Sequence, residues 1–271
     1  MSTGGLATGD RRQAYARYLA AHALPPAILL ALFAEAWQLL AHHNPYVLPQ
    51  LGAVVDQLVE HPGQFAKAGA VTLEEAGVGL ATSVAVAFPL AALMTYLKLA
   101  ERAVMPLAVV LSVTPAVALA PGLNFALGVG LPPRFLVTAI VVFFPLLVNS
   151  LIGLKSADPE ALRYFATLDA HPAEVLFRLR LPSALPFLFS AARICFPLAL
   201  VGAVVSEWSA AGSENGLGSL IQTADLQSQY AYAYAAIACL SVLGLIFTLV
   251  VIVLEHKLLF WHPSSYGYRR S

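Results

Sequence analysis

Phe135-Leu-Val-Thr-Ala-Ile-Val-Val-Phe-Phe-Pro-Leu-Leu-Val-Asn-Ser-Leu-Ile-Gly-Leu154 runs for twenty residues without one Asp, Glu, Lys or Arg. A helix needs about 20 mostly apolar residues to cross the hydrocarbon core of a bilayer. Five more apolar runs stand on either side of it, at 25–41, 77–97, 103–123, 184–205 and 235–254. They predict an all-α integral membrane protein with about six transmembrane helices. Composition agrees. Of 271 residues 59% are hydrophobic and 11% charged, against roughly 25% charged in a soluble domain. Net charge is +0, so no basic patch for nucleic acid is indicated. The two cysteines, Cys195 and Cys239, sit in apolar runs without metal-ligand spacing, which argues against a metal site and for packing as small apolar side chains.

The first run follows Arg11, Arg12 and Arg17, as a signal peptide would. It contains Glu35 and Trp37 and is not followed at once by a small-x-small site. It is therefore read as a retained first helix. Between the first two runs, residues 44–76 are mixed in polarity, and 51–59 carry apolar residues at the spacing of a short interfacial helix.

Charge placement sets the orientation. With the N-terminus inside and the spans alternating, the cytoplasmic segments hold Arg11, Arg12, Arg17, Lys98, Arg102, Lys155, Arg163, Arg178, Arg180, Lys257, Arg269 and Arg270. Lys67 and Arg134 fall outside, and Arg193 falls within the fifth helix. Basic residues concentrate on the cytoplasmic side of membrane proteins, so an even number of spans with both termini inside is expected. Prolines 89, 115, 121, 145 and 197 lie within or at the ends of the apolar runs. Each removes a backbone donor. Ordinary bundle packing and kinked helices around a translocation path both account for them.

The informative polar segment is Asp158 to Pro182, between the fourth and fifth helices. It reads as two short helices. Asp158 N-caps the first, with Pro159 at its first position. His171-Pro172 opens the second, with Glu174 in the first turn where the helix dipole favours an anion. Leu168-Asp169-Ala170 turns between them, and Leu181-Pro182 closes the second helix. The apolar residues Leu162, Phe165, Leu168, Leu176, Phe177 and Leu179 must dock on something, either the membrane surface or another protein.

Leu179-Arg-Leu-Pro-Ser-Ala-Leu-Pro186 and the loop before it resemble the Glu-Ala-Ala loop of ABC importer permeases. Ala191-Ala-Arg-Ile194, Val201-Gly-Ala-Val-Val-Ser-Glu-Trp208 and Asn215-Gly-Leu-Gly-Ser-Leu-Ile221 resemble the nitrate/sulfonate/taurine-like group of that binding-protein-dependent inner-membrane family. So do Pro115-Ala-Val-Ala-Leu-Ala-Pro121, Phe143-Phe-Pro-Leu-Leu-Val-Asn149 and Leu254-Glu-His-Lys257. The departures are specific. Arg163-Tyr164-Phe165 stands where the family has Glu-Ala-Ala, and Asp169 stands where it has a turn glycine. Residues 125–130 lack the family's Trp-Phe-Gly.

The resemblance implies a type I importer permease architecture, with a cytoplasmic coupling helix between helices 4 and 5. It divides the chain into a cytoplasmic tail at 1–22, a first transmembrane helix with an external interfacial segment at 23–70, a transmembrane domain at 71–262 and a cytoplasmic tail at 263–271. ATPase coupling would fall on Arg163, Phe165, Leu168, Asp169, Ala170, His171, Glu174, Phe177, Leu181 and Pro182. Candidates for the translocation path are Asn149, Arg193, Ser206 and Glu207. For Arg193 a structural ion pair and a pathway role both stand. Glu207 and Trp208, near the outer end of the fifth helix, suit contact with a binding protein or an outer gate.

No G-x-x-x-x-G-K-[ST] phosphate loop occurs in the chain. The resemblance therefore implies a non-catalytic subunit without a cofactor of its own, with ATP and Mg on partner ATPases. It also implies a second permease copy, as a homodimer, and an extracytoplasmic substrate-binding protein. The solute would be small and polar or anionic: a sulfonate, nitrate or taurine. The stretches around Pro186 and Glu207 also resemble permeases for thiamine-precursor pyrimidines. A secondary transporter or channel is the alternative, and it would favour intramembrane acidic residues or internal repeats. A membrane enzyme would need a His/Asp/Glu cluster at one membrane face, and none is evident.

Overall fold

The computed structural model describes residues 8–44, 47–128, 130–209 and 216–259, with side chains from residue 24 onward. Eleven α-helices are described: α1 (Thr8–His43), α2 (Leu51–Glu60), α3 (Pro62–Tyr96), α4 (Lys98–Val113), α5 (Ala116–Leu127), α6 (Leu131–Lys155), α7 (Pro159–Thr167), α8 (Pro172–Val175), α9 (Leu181–Ser209), α10 (Leu217–Leu226) and α11 (Tyr230–Leu258). No strand occurs among the described residues. The expected tail at 1–22 is helical from Thr8 onward. Its first seven residues and the expected tail at 263–271, with Arg269 and Arg270, lie outside the described residues.

Five segments are long and apolar enough to cross a membrane: Leu24–His43, Pro62–Tyr96, Leu131–Lys155, Pro172–Ser209 and Tyr230–Leu258. The sixth is not the continuous helix expected at 103–123. It is the pair α4 and α5, bent by 100°. Pro115 is the cause. The ring of a proline pushes the preceding residue out of the helical region, and Thr114 is extended at φ −76°, ψ 124°. Hydroxyls bond back onto the last turn of α4: Thr114 Oγ1 donates to Val110 O at 2.8 Å and Ser112 Oγ to Val109 O at 2.8 Å.

A second correction concerns α3. The span expected to begin at residue 77 begins at Pro62, so the mixed-polarity stretch before it is mostly helix. A third concerns Leu181-Pro182. The chain does not stop there; it passes through one π-helical turn, Leu176–Arg180, straight into α9. Pro182 has no N–H to donate back to Arg178. The ladder slips by one residue, so that Leu181 N–H reaches Leu176 O. Ser183 Oγ then donates to Leu179 O at 2.8 Å.

The core is the triple packing of α3, α6 and α9. Thr138 of α6 sits between two glycines. A Cβ on Gly79 of α3 would lie 2.5 Å from its side chain, and one on Gly202 of α9 would lie 2.9 Å from its Cα. Near the other end of α6, a Cβ on Gly153 would lie 2.9 Å from Phe187 Cβ. Lipid tails are as apolar as leucine, so helices in a membrane gain little from burying apolar groups and associate where small residues allow close approach. Ala76, Ala87, Ala91, Ala184, Ala191, Ala199 and Ala203 are buried in this core accordingly. α11 flanks it, with Phe247 stacked on Phe196 of α9. α1 is joined to the rest through Trp37, whose Nε1 donates to Pro49 O at 3.0 Å and whose ring meets Tyr234 edge-on.

Candidate functional site

The segment 158–182 forms a hairpin at one end of the bundle. Asp158 caps α7, its carboxylate accepting from Glu160 N–H at 3.0 Å. His171 Nδ1 caps α8 by accepting from Ala173 N–H at 3.3 Å. The turn is made by Asp169 at φ 50°. Ala170 N–H donates to Phe165 O at 3.1 Å and Asp169 N–H to Ala166 O at 3.2 Å. This pair of bonds is the Schellman closure of a helix, in which glycine commonly takes the left-handed position. Aspartate is among the few other residues that enter that region, so the turn forms without the glycine.

Of the coupling residues read from sequence, Arg163, Leu168, Asp169, His171, Glu174, Phe177 and Pro182 are exposed. Phe165, Ala170 and Leu181 are half-buried. Glu174 reaches Arg178 at 3.7 Å. Three large side chains stand out from the hairpin: Tyr164 and Phe177, each 63% exposed, and Leu168, 59% exposed.

The hairpin is fastened to two spans. Tyr96, at the end of α3, donates its hydroxyl to Pro172 O at 2.9 Å. The Arg180 guanidinium lies 5.3 Å over the Tyr96 ring, and its Nη1 donates to Leu154 O of α6 at 2.9 Å. Lys155 binds Glu101 of α4 at 2.7 Å. These bonds join the hairpin to α3 and α6, and it continues into α9 without a break.

The far end of the bundle holds a buried polar cluster of which the sequence singles out only Glu207. Arg134 of α6 binds Glu75 of α3 at 2.6 Å, and both are buried. Arg134 was expected in an external segment; it lies inside the bundle at the start of a span. Beside this pair, Glu207 of α9 accepts from Thr72 Oγ1 at 2.7 Å and from Ser219 N–H of α10 at 2.9 Å. Thr72 Oγ1 in turn accepts from Leu217 N–H at 2.8 Å. The cluster ties α3, α6, α9 and α10 together. A buried charge is tolerated when paired and hydrogen-bonded. The available signal was one acid and one base, each standing just before a different apolar run, which local pattern does not connect.

The four path candidates turn their polar groups onto the chain itself. Asn149 Nδ2 donates to Pro145 O at 2.7 Å and Ser206 Oγ to Ala203 O at 2.7 Å. Glu207 is buried as described, under α10. Arg193 is paired with Glu255 of α11, the structural-pair arrangement of the two considered for it. Trp208, next to Glu207, donates its Nε1 to Gly218 O at 2.9 Å.

The family described as "Binding-protein-dependent transport system inner membrane component" matches residues 83–259, from the middle of α3 through the hairpin to the end of α11. The chain belongs to this family. It is a multi-pass membrane protein and a permease component of an ABC transport system. The formylaminopyrimidine transport permease protein ThiX of Halalkalibacterium halodurans is 33% identical to it over 246 residues, covering 90% of this chain and 98% of the relative. Two further relatives carry provisional names. An ABC transporter permease protein of Haemophilus influenzae is 29% identical over 220 residues, 80% of this chain and 89% of the relative. The aliphatic sulfonates transport permease protein SsuC of Bacillus subtilis is 26% identical over 197 residues, 73% of this chain and 71% of the relative. The family to which this permease belongs implies an ATPase and a substrate-binding protein as partners.

Proposed function

We propose that two copies of the permease form the translocation path of an importer, with the hairpin docked in a groove of a separate ATPase. The observation that carries this reading is that Tyr164, Leu168 and Phe177 are all exposed on a segment fastened to α3, α6 and α9. A large apolar side chain in water contributes little until a partner covers it, and short amphipathic helices commonly bind in a partner's groove. ATP and Mg²⁺ act on the ATPase chains. This chain binds no cofactor and converts no substrate. Both termini are cytoplasmic in this reading, supported by Lys98, Arg102, Lys155, Arg163, Arg178 and Arg180 gathering at the hairpin end.

The solute is a small polar heterocycle of the formylaminopyrimidine kind, delivered by an external binding protein. The match to nearly the whole length of ThiX supports this class. The polar groups of Asn149, Arg193, Ser206 and Glu207 are engaged within the chain, which supports selection by the binding protein. Uptake into proteoliposomes that contain the permease, its co-encoded ATPase and the binding protein tests the reading. ATP-dependent accumulation of a labelled aminopyrimidine is expected. Accumulation of an alkanesulfonate instead would overturn the solute class, and accumulation without ATP would overturn the importer.

A further inference from the structure

The first half of the broken span presents a face that the docking reading does not use. Lys98, Glu101, Arg102, Met105 and Pro106 recur at i, i+3, i+4, i+7 and i+8 of α4, so they share one side of the helix. Together they line an open hollow of about 510 Å³. Its only acid, Glu101, is taken by Lys155 at 2.7 Å. Among the described residues Lys98 and Arg102 form no ion pair, and both are exposed. The hollow thus carries two free cations one turn apart at its rim and an apolar floor. Leu99, 79% exposed, stands beside it.

The apolar side continues along the helix. Val109 and Val113 extend the same face, and both are exposed. From Arg102 to Val113 is about 16 Å at 1.5 Å per residue. One leaflet of hydrocarbon is about 15 Å, half of the roughly 30 Å core. α4 then stops at Thr114-Pro115. Cations at one end of a helix face, followed by one leaflet of apolar surface, reproduce the shape of a lipid with an anionic headgroup.

We propose that this face of α4 binds an anionic phospholipid, with its phosphate between Lys98 and Arg102 and an acyl chain along Met105, Pro106, Val109 and Val113. The charge complementarity is direct, since basic residues beside a membrane attract anionic headgroups. Arginine adds a planar pair of donors suited to phosphate oxygens. The site is independent of the ATPase-docking reading, because none of its residues lies on the hairpin.

Native mass spectrometry of the full-length permease, released from micelles containing phosphatidylglycerol or phosphatidylcholine, tests this. The wild type should retain phosphatidylglycerol preferentially. The K98Q/R102Q variant should bind it at least tenfold more weakly, the size expected for two headgroup cations. K98R/R102K should keep the preference. K67Q, at the opposite end of the bundle, should leave it unchanged. Both cations are exposed and form no ion pair among the described residues, so these variants should fold, and the single variants K98Q and R102Q read the same loss in smaller steps. Equal retention of the two lipids by the wild type would overturn the proposal. So would undiminished phosphatidylglycerol binding by K98Q/R102Q, or displacement of the lipid by equimolar inorganic phosphate. Loss of ATPase copurification in K98Q/R102Q, with lipid preference intact, would assign the face to a protein partner instead.

Discussion

Gly216 lies directly against the carboxylate of Glu207, so that a side chain on the glycine would occupy the place of the group that holds α10. A Cβ on Gly218 would lie 2.9 Å from Val204 Cα and 3.0 Å from Glu207 Oε2. Gly216, Gly218 and Glu207 thus form one joint between α9 and α10.

Two substitutions at this joint should act differently. G216A forces the carboxylate aside and should cost roughly 1–3 kcal/mol, as overpacking of a filled site does. E207Q keeps the shape but replaces one acceptor oxygen with an amide donor, at a cost of about 1–3 kcal/mol for the group left unmatched. Hydrogen exchange at the Leu217 and Ser219 amides should accelerate in E207Q. Unchanged protection there would refute the capping role.

The Glu75–Arg134 pair gives a sharper contrast. R134L leaves a carboxylate buried beside Glu207 and should lower stability by about 3–5 kcal/mol. E75L/R134L removes both charges and should recover most of that loss. Melting temperatures of the purified variants in one detergent decide the matter. A double variant as unstable as R134L would show that the pair contributes attraction beyond mutual neutralisation.

Asp169 occupies a left-handed position at φ 50°. D169G should be neutral or stabilising by up to about 1 kcal/mol, because glycine enters that region at little steric cost. D169V should destabilise the hairpin, since a β-branched residue is a poor fit there. ATPase copurification should survive D169G and fall in D169V.

Y164D, L168D and F177D each place a charge at an exposed position of the hairpin. Because these side chains face solvent, stability should change by no more than about 0.5 kcal/mol, while ATPase copurification is lost. Retained binding in all three would remove these positions from the docking surface.

Y96F deletes the hydroxyl that reaches Pro172 O. The hairpin should still dock, yet transport per ATP hydrolysed should fall, because the fastening to α3 is weakened by about 1 kcal/mol. Equal coupling in Y96F and wild type would show that α6 and α9 alone carry the motion.

Hydrophobic length was enough to place most of the spans, because lipid selects for apolar helices wherever they occur in a chain. Local chemistry was enough for the hairpin's caps and turn, though not for its end at Leu181-Pro182: Asp158 and His171 cap helices, and Asp169 turns, through bonds to residues no more than five positions away. The break at Pro115 was present in sequence as a proline, but whether it kinks or divides a helix depends on what packs beside it. The bend of 100° emerges only in the folded bundle. The charges needed the fold most. Arg134 reads locally as a loop cation, and Arg193 as an unexplained one. Their partners, Glu75 and Glu255, stand 59 and 62 residues away. Periodicity reports which face of a helix is apolar, but not which helix will stand opposite. That choice is made by the glycines and alanines that let α3, α6 and α9 close on one another.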